Sequence, residues 1–154
     1  MSRASPALTG IAGVHHVVAE LSRRGLVALP TIRNTAAYDI IVTTPDGKRH
    51  ANFQVKASQN RRSFFLMPPS TRVRARPHDY YVLLRWLATE NRYEGFMLSG
   101  RDARSEVRRS ERLQRSRIRA GKRQSRVWPS ILVSGKQVDR RAEKWRKTWL
   151  TWTL

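Results

Sequence analysis

Between Tyr38 and Ser58 the chain reads YDIIVTTPDGKRHANFQVKAS, and this segment leaves few folds open. Tyr38 to Thr44 is β-rich and apolar on both faces, which predicts a strand covered on both sides. Pro45-Asp46-Gly47 is a turn signal. His50 to Ser58 then alternates, with Ala51, Phe53, Val55 and Ala57 on one face and Asn52, Gln54, Lys56 and Ser58 on the other. With Asp46-Gly47 as a two-residue hairpin loop, Asp39 lies directly opposite Gln54 on the same face, with Cβ atoms about 5 Å apart. Lys56 follows one diagonal step away. An acid, an amide and an ammonium thus share one face of a central hairpin, where unpaired charges are costly.

The flanking sequence predicts a single α/β domain over residues 1–154. Residues 10–24 form an amphipathic helix, with Ile11, Val14, Val17, Val18 and Leu21 on its buried face, Thr9 as N-cap and Gly25 at its C-terminal end. A short strand follows at 26–30, closed by Pro30. Beyond the hairpin, 61–79 is mostly loop, with a short strand near Phe64–Met67. Further strands are expected at 79–87, 95–99 and 128–133, and helices at 101–126 and 139–152. No internal repeat is present. The order of elements predicts a central sheet with a helix packed on each side.

Charge bears on partners rather than on fold. The 154 residues carry 31 Lys and Arg against 11 Asp and Glu, a formal net charge of +20. Such a surface attracts polyanions, nucleic acid first and an anionic membrane surface second. No cysteine is present, which excludes disulfides and thiolate metal sites. The N-terminal residues lack the apolar run of a signal peptide, and no stretch approaches the roughly 20 apolar residues of a membrane span. A cytoplasmic protein without a membrane partner is expected.

The polar face of the hairpin has two chemical readings. One is a structural Asp–Lys ion pair bridged by an amide. The other is a metal-dependent phosphodiesterase site, in which an Asp holds Mg²⁺, a second oxygen ligand sits opposite, and a Lys orients the attacking water and offsets negative charge.

The whole pattern resembles the PD-(D/E)XK nuclease superfamily. It comprises a helix ending Ala19-Glu20-Leu21 and Arg24-Gly25, then Tyr38-Asp39-Ile40-Ile41-Val42, a Pro-Asp-Gly-Lys turn, and Phe53-Gln54-Val55-Lys56. The resemblance covers about residues 10–99. It implies a restriction endonuclease-like core, a central mixed β-sheet flanked by helices. It also implies Mg²⁺ or Mn²⁺ as cofactor and DNA, in preference to RNA, as substrate; junction-resolving relatives act as homodimers. Asp39 matches the metal-binding acid, Gln54 stands where the second acid usually is, and Lys56 matches the lysine. The Val55 backbone carbonyl is a further metal ligand by the same likeness. The Gln-x-Lys variant resembles that of Mrr-like, methylation-dependent restriction endonucleases.

Many relatives also carry Gly-Glu near the start of the first helix, where this chain has Gly13-Val14. Glu20 is the nearest substitute acid, but six residues at 100° each set it about 120° from position 14 around the helix. Its alternative role is to pair with His16 at i, i+4. His15 and His16 are either a base or ligand, or ordinary helix residues near a surface.

Residues 101–126, RDARSEVRRSERLQRSRIRAGKRQSR, hold eleven basic residues and three acids. Arg101, Arg104, Arg108, Arg112, Arg115, Arg119 and Arg123 recur in steps of three and four, which makes one arginine stripe on a helix. Solvated helical faces alternate signs, so a single-sign stripe points to phosphate, which the guanidinium fork suits. Arg61, Arg62, Arg72, Arg74 and Arg76 form a second basic loop after the Lys56 strand. Trp145, Trp149 and Trp152 at i, i+4 and i+7 dock the terminal helix on the core or else stack bases. The leading expectation is a metal-dependent DNA endonuclease. Its rivals are a nucleic-acid-binding protein that keeps the scaffold without cleavage, and an RNA- or ribosome-binding protein with a structural ion pair.

Overall fold

A computed structural model describes residues 4–32, 38–59, 64–121, 126–134 and 139–154. The first helix, α1, spans Pro6–Arg23. It starts four residues before the sequence expectation, because Ser5 is the N-cap and accepts from the Leu8 N–H at 3.3 Å. Pro6 suits the first turn, where no amide donor is needed. Thr9 is therefore inside the helix, its hydroxyl donating to the Ser5 carbonyl at 3.0 Å. At the other end Gly25, with φ of +79°, reverses the chain as expected, and the Leu26 N–H returns to the Leu21 carbonyl.

Strands β1 (Val27–Pro30), β2 (Ile40–Thr43) and β3 (His50–Ser58) form an antiparallel meander. Strands β4 (Phe64–Leu66), β5 (Asp79–Leu87) and β6 (Arg92–Ser99) follow, with a 3₁₀ turn at Ser70–Arg72. β6 begins three residues earlier than its apolar run suggests, since its first residues pair with Leu87, Trp86 and Arg85. Then come α2 (Gly100–Arg119), β7 (Ser130–Leu132) and α3 (Asp139–Thr151). α2 ends at Arg119, seven residues short of the basic run's end, and Gly121 with φ of +66° follows its C-cap.

The main sheet is mixed, in the order β1-β2-β3-β5-β6, with β3 and β5 parallel and the other pairs antiparallel. A parallel pair needs a crossover between its strands, and residues 59–78, including β4 and the 3₁₀ turn, provide it. β4 pairs with β7 in a separate two-stranded sheet. Helices flank both faces of the main sheet, as the sequence predicts.

The sheet separates two apolar cores. One holds Val17 and Leu21 of α1 against Ile40, Phe53, Val55 and Leu84. The other holds Ala103 and Val107 of α2 with Phe65, Val73, Leu83, Phe96 and Ile131. α1 lies very close to β3, because a Cβ on Gly13 would stand 2.5 Å from the Ala57 Cβ. Helix α3 wraps β6 and serves both cores, with Trp145 in the second and Trp149 in the first. Trp149 lies against Gly95, where a Cβ would fall 2.5 Å from the indole ring. Trp152 adds edge-on contacts to Phe53 and Tyr80 at 5.1 and 5.4 Å between centroids. The tryptophan stripe thus docks the helix, and its two buried rings offer no stacking platform.

Among the described residues no helix is long and apolar enough to cross a membrane.

Candidate active site

The β2–β3 register brings the predicted polar group together. Ile40 pairs with Phe53, so the next residues outward, Asp39 and Gln54, face each other as expected. The loop is longer than the two residues assumed. Thr44 and Arg49 are joined by a 3.0 Å backbone bond, and the four residues Pro45 to Lys48 turn between them, with Gly47 at φ of +71°. A four-residue loop keeps the same pairing as a two-residue loop, so the alignment survives the difference.

Asp39 is anchored by two donors. The Gln54 Nε2 and the Val55 N–H, the latter at 2.7 Å, both donate to Asp39 Oδ2. A strand residue sends its N–H and C=O to the same side. The Val55 carbonyl therefore faces the side on which Asp39 lies, while the Val55 side chain is buried against α1, 3.6 Å from where a Cβ on Gly13 would be.

This edge of β3 is open. Among the described residues β2 ends its pairing at Phe53, so Val55 to Ser58 have a strand neighbour only on the β5 side. A cleft of about 520 Å³ occupies the gap, lined by Asp39, Gln54, Val55 and Lys56 on one wall and by Val14 and His15 on α1. Lys56 is half-buried, and it makes no hydrogen bond or ion pair among the described residues. The structural Asp–Lys ion pair is accordingly not formed.

Glu20 is not brought to the cleft. Its carboxylate pairs with Arg23 at 3.2 Å and Arg24 at 3.9 Å, toward the far end of α1. It also stands apart from an ion pair with His16, whose ring packs against Tyr93 at 4.8 Å and whose pKa is lowered by burial, against the raising effect of Glu20. Position 14 does face the cleft, and Val14 supplies no ligand there. His15 is exposed on the adjacent wall.

Among the described residues the basic loop reaches the cleft through Arg74. Arg74 lies over the ring of Tyr38, 5.0 Å from guanidinium carbon to centroid, and Tyr38 lines the cleft. The Arg74 N–H donates to the Tyr81 hydroxyl at 2.9 Å, which fixes the loop against β5. Arg72 and Arg76 are exposed beside it. Arg61, Arg62 and Arg123 lie outside the described residues. Sequence reasoning missed Tyr38 as a support for Arg74; an aromatic residue immediately before the site acid, at an open strand end, was the available signal.

Six of the seven arginines expected to form the stripe lie on α2, and Arg123 is outside the described residues. Arg101, Arg104, Arg108, Arg112 and Arg115 line a groove beside α2, and Arg119 is exposed in its last turn. Arg104 departs from the others, since its Nε and Nη2 donate to the Val73 carbonyl at 3.0 and 2.6 Å.

Among the described residues no group of three His, Cys, Asp or Glu side chains is gathered to hold a metal. The oxygen donors available in the cleft are Asp39 Oδ1, the Gln54 amide oxygen and the Val55 carbonyl, one anion with two neutral partners. That set would suit only a divalent cation that keeps several waters, as Mg²⁺ and Mn²⁺ do, and would hold it weakly. Compared with known proteins, the chain matches no family model, no curated sequence and no solved structure.

Proposed function

We propose that this chain is a metal-dependent endonuclease that hydrolyses phosphodiester bonds of DNA, on a restriction endonuclease-like core of the PD-(D/E)XK type. The observation that carries the reading is the cleft at the open edge of β3, where Asp39, the Gln54 amide and a Lys56 without an ion pair among the described residues converge. A lysine with a structural role would be expected to have a partner when half-buried. Lys56 instead leaves its ammonium to meet an incoming anion.

In this mechanism Asp39, Gln54 and the Val55 carbonyl would hold the cation. The cation, when bound, supplies polarisation of the scissile phosphate and a water of lowered pKa. Gln54 orients the Asp39 carboxylate, and the Val55 N–H fixes it to β3. Lys56 binds a non-bridging phosphate oxygen, offsets the charge that develops in the transition state, and orients the attacking water. His15 is exposed on the α1 side of the cleft, where it can contact the incoming strand. Arg74, held on Tyr38, receives the neighbouring phosphate and sets the position of the strand.

A second reading has its own support. Val14 stands in the cleft where a carboxylate would strengthen the metal site, which favours a nucleic-acid-binding protein that keeps this scaffold without cleavage. Supercoiled plasmid incubated with Mg²⁺, Mn²⁺ or EDTA separates the two. Metal-dependent nicking that is absent in Lys56→Ala supports the nuclease; salt-sensitive binding without nicking in any metal supports the binding protein.

A further inference from the structure

We infer that the groove along α2 is a track for the phosphate backbone of a nucleic-acid duplex, continuous with the cleft at Asp39. The inference rests on the nucleic-acid part of the reading above and not on cleavage.

The groove holds about 580 Å³ and runs between α2 and the 72–76 loop, lined by Ala75, Arg101, Arg104, Arg108, Arg112 and Arg115. Arg104 stitches its two walls together through the Val73 carbonyl. Arg101, Arg108, Arg112 and Arg115 make no hydrogen bond or ion pair among the described residues. Of the three acids of α2, Glu106 pairs with Arg141 at 3.2 Å, Glu111 lines the groove but accepts from the Ser70 N–H and hydroxyl at 2.9 and 2.8 Å, and Asp102 lies in the first turn outside the lining. Like charges at i, i+4 each cost a helix a few tenths of a kcal/mol. The groove therefore concentrates unneutralised charge at fixed spacing.

The dimensions and lining favour a duplex. From Arg101 to Arg115 the stripe extends about 21 Å, somewhat over half a duplex turn of about 34 Å. Proteins that hold single strands stack bases on aromatic side chains, and this groove is lined by arginines, Ala75, Ser105 and Glu111. The exposed Trp128 belongs to the other flank of α2, where its backbone is bound by Gln114. A stripe of guanidiniums suits the phosphates of a backbone that runs along it. At its lower end the groove adjoins Ala75, and the next residue, Arg74, lies on Tyr38 at the cleft. One phosphate strand can thus pass from α2 over Arg74 to Lys56.

The test measures binding in EDTA, so that cleavage plays no part, with a 25-base-pair duplex and a single strand of equal length across a salt series. The test variant is R108A/R112A/R115A. A charge-matched control, R109A/R117A/K144A, removes three exposed cations that do not line the groove. Each lost phosphate contact lowers the slope of log affinity against log salt by about 0.9 on a duplex. The groove variant is expected to lose about 2.7 in duplex slope and at least tenfold in affinity, with an unchanged or raised Tm. The control is expected to lose less than 1. Equal losses in both variants, or an unchanged slope in the groove variant, overturn the track. Single-strand binding as tight as duplex binding, with the same slope loss, overturns the duplex. A failed nuclease assay leaves all these readouts intact.

Discussion

Gln54 donates its amide to the Asp39 carboxylate across the β2–β3 ladder, so that the neutral residue holds the one acid of the cleft in place. A glutamate at the same position would instead set two carboxylates side by side, which repel unless a cation lies between them. Gln54→Glu is therefore expected to lower Tm in EDTA and to regain it in Mn²⁺. At a cation concentration 100 times Kd the gain is about 2.7 kcal/mol. Thermal melts at pH 7 with and without metal check this, and V14E/Q54E should enlarge the cation-dependent gain. Equal Tm shifts for the wild type and both variants would show that the cation does not sit against these residues.

Lys56→Ala tests the chemistry at least cost to the fold, because among the described residues the ammonium has no partner to strand. Stability should change by no more than about 0.5 kcal/mol, as for other side chains without a structural contact. Nicking should fall by about 100-fold or more, the range for loss of a donor that stabilises transition-state charge, while duplex binding in EDTA changes little. A urea melt alongside the plasmid assay reads both.

The buried ion triad gives a pH prediction. Glu94 bonds Arg85 and, at 2.8–2.9 Å, Arg146, tying β5, β6 and α3 together over Phe96. Burial alone would raise the Glu94 pKa, but hydrogen bonds and charge from the two arginines outweigh it and hold it below its ordinary 4.5. A depressed carboxylate contributes stability that is fully present above the unfolded value and is lost as pH falls through the folded one. Glu94→Gln should cost about 3 kcal/mol at pH 7, because Arg85 and Arg146 lose the buried anion they share while Arg146 keeps only its more exposed pair with Glu143. The gap between wild type and variant should narrow from pH 5 to pH 2.5. Urea melts at pH 7, 4 and 2.5 give the comparison; a constant gap would mean that the triad is not ionised as described.

Gly95 is a packing requirement of Trp149. Gly95→Ala places a methyl 2.5 Å from the indole and must push α3 outward or bend β6. The expected loss is about 1–3 kcal/mol, typical of overpacking, with a red shift of tryptophan emission as Trp149 gains water. Gly10→Ala, at a helical position where a Cβ meets nothing within 4 Å, is the control and should be neutral or slightly stabilising.

Much of this was legible in the chain because periodicity and turn chemistry acted on short range. The alternation from Ala51 to Ala57 and the Pro-Asp-Gly turn determine which residues face Asp39, and loop parity kept the register even though the loop is two residues longer. The start of α1 was misplaced because Thr9 and Ser5 both have capping hydroxyls, and only the proline after Ser5 distinguishes them. β6 was clipped because Arg92, Tyr93 and Glu94 look like turn residues until Arg85 and Arg146 neutralise Glu94 across strands. The fate of Glu20 was equally hidden, since its competition between the cleft and Arg23 and Arg24 is settled by helix azimuth. The contact of Arg74 with Tyr38 joins residues 36 positions apart, so the aromatic before Asp39 was legible while its partner was not.

Helix α3 supplies Trp145 to one core and Trp149 to the other, and this has a consequence for synthesis. While the chain emerges from a ribosome, neither face of the sheet can be sealed until residues 139–151 have been made. Strands β1 to β6 must wait with their apolar faces only partly covered, the condition in which nascent chains pair with the wrong neighbours. The highly cationic surface keeps such half-finished chains apart through mutual repulsion. The same net charge of +20 thus also guards the assembly of the chain.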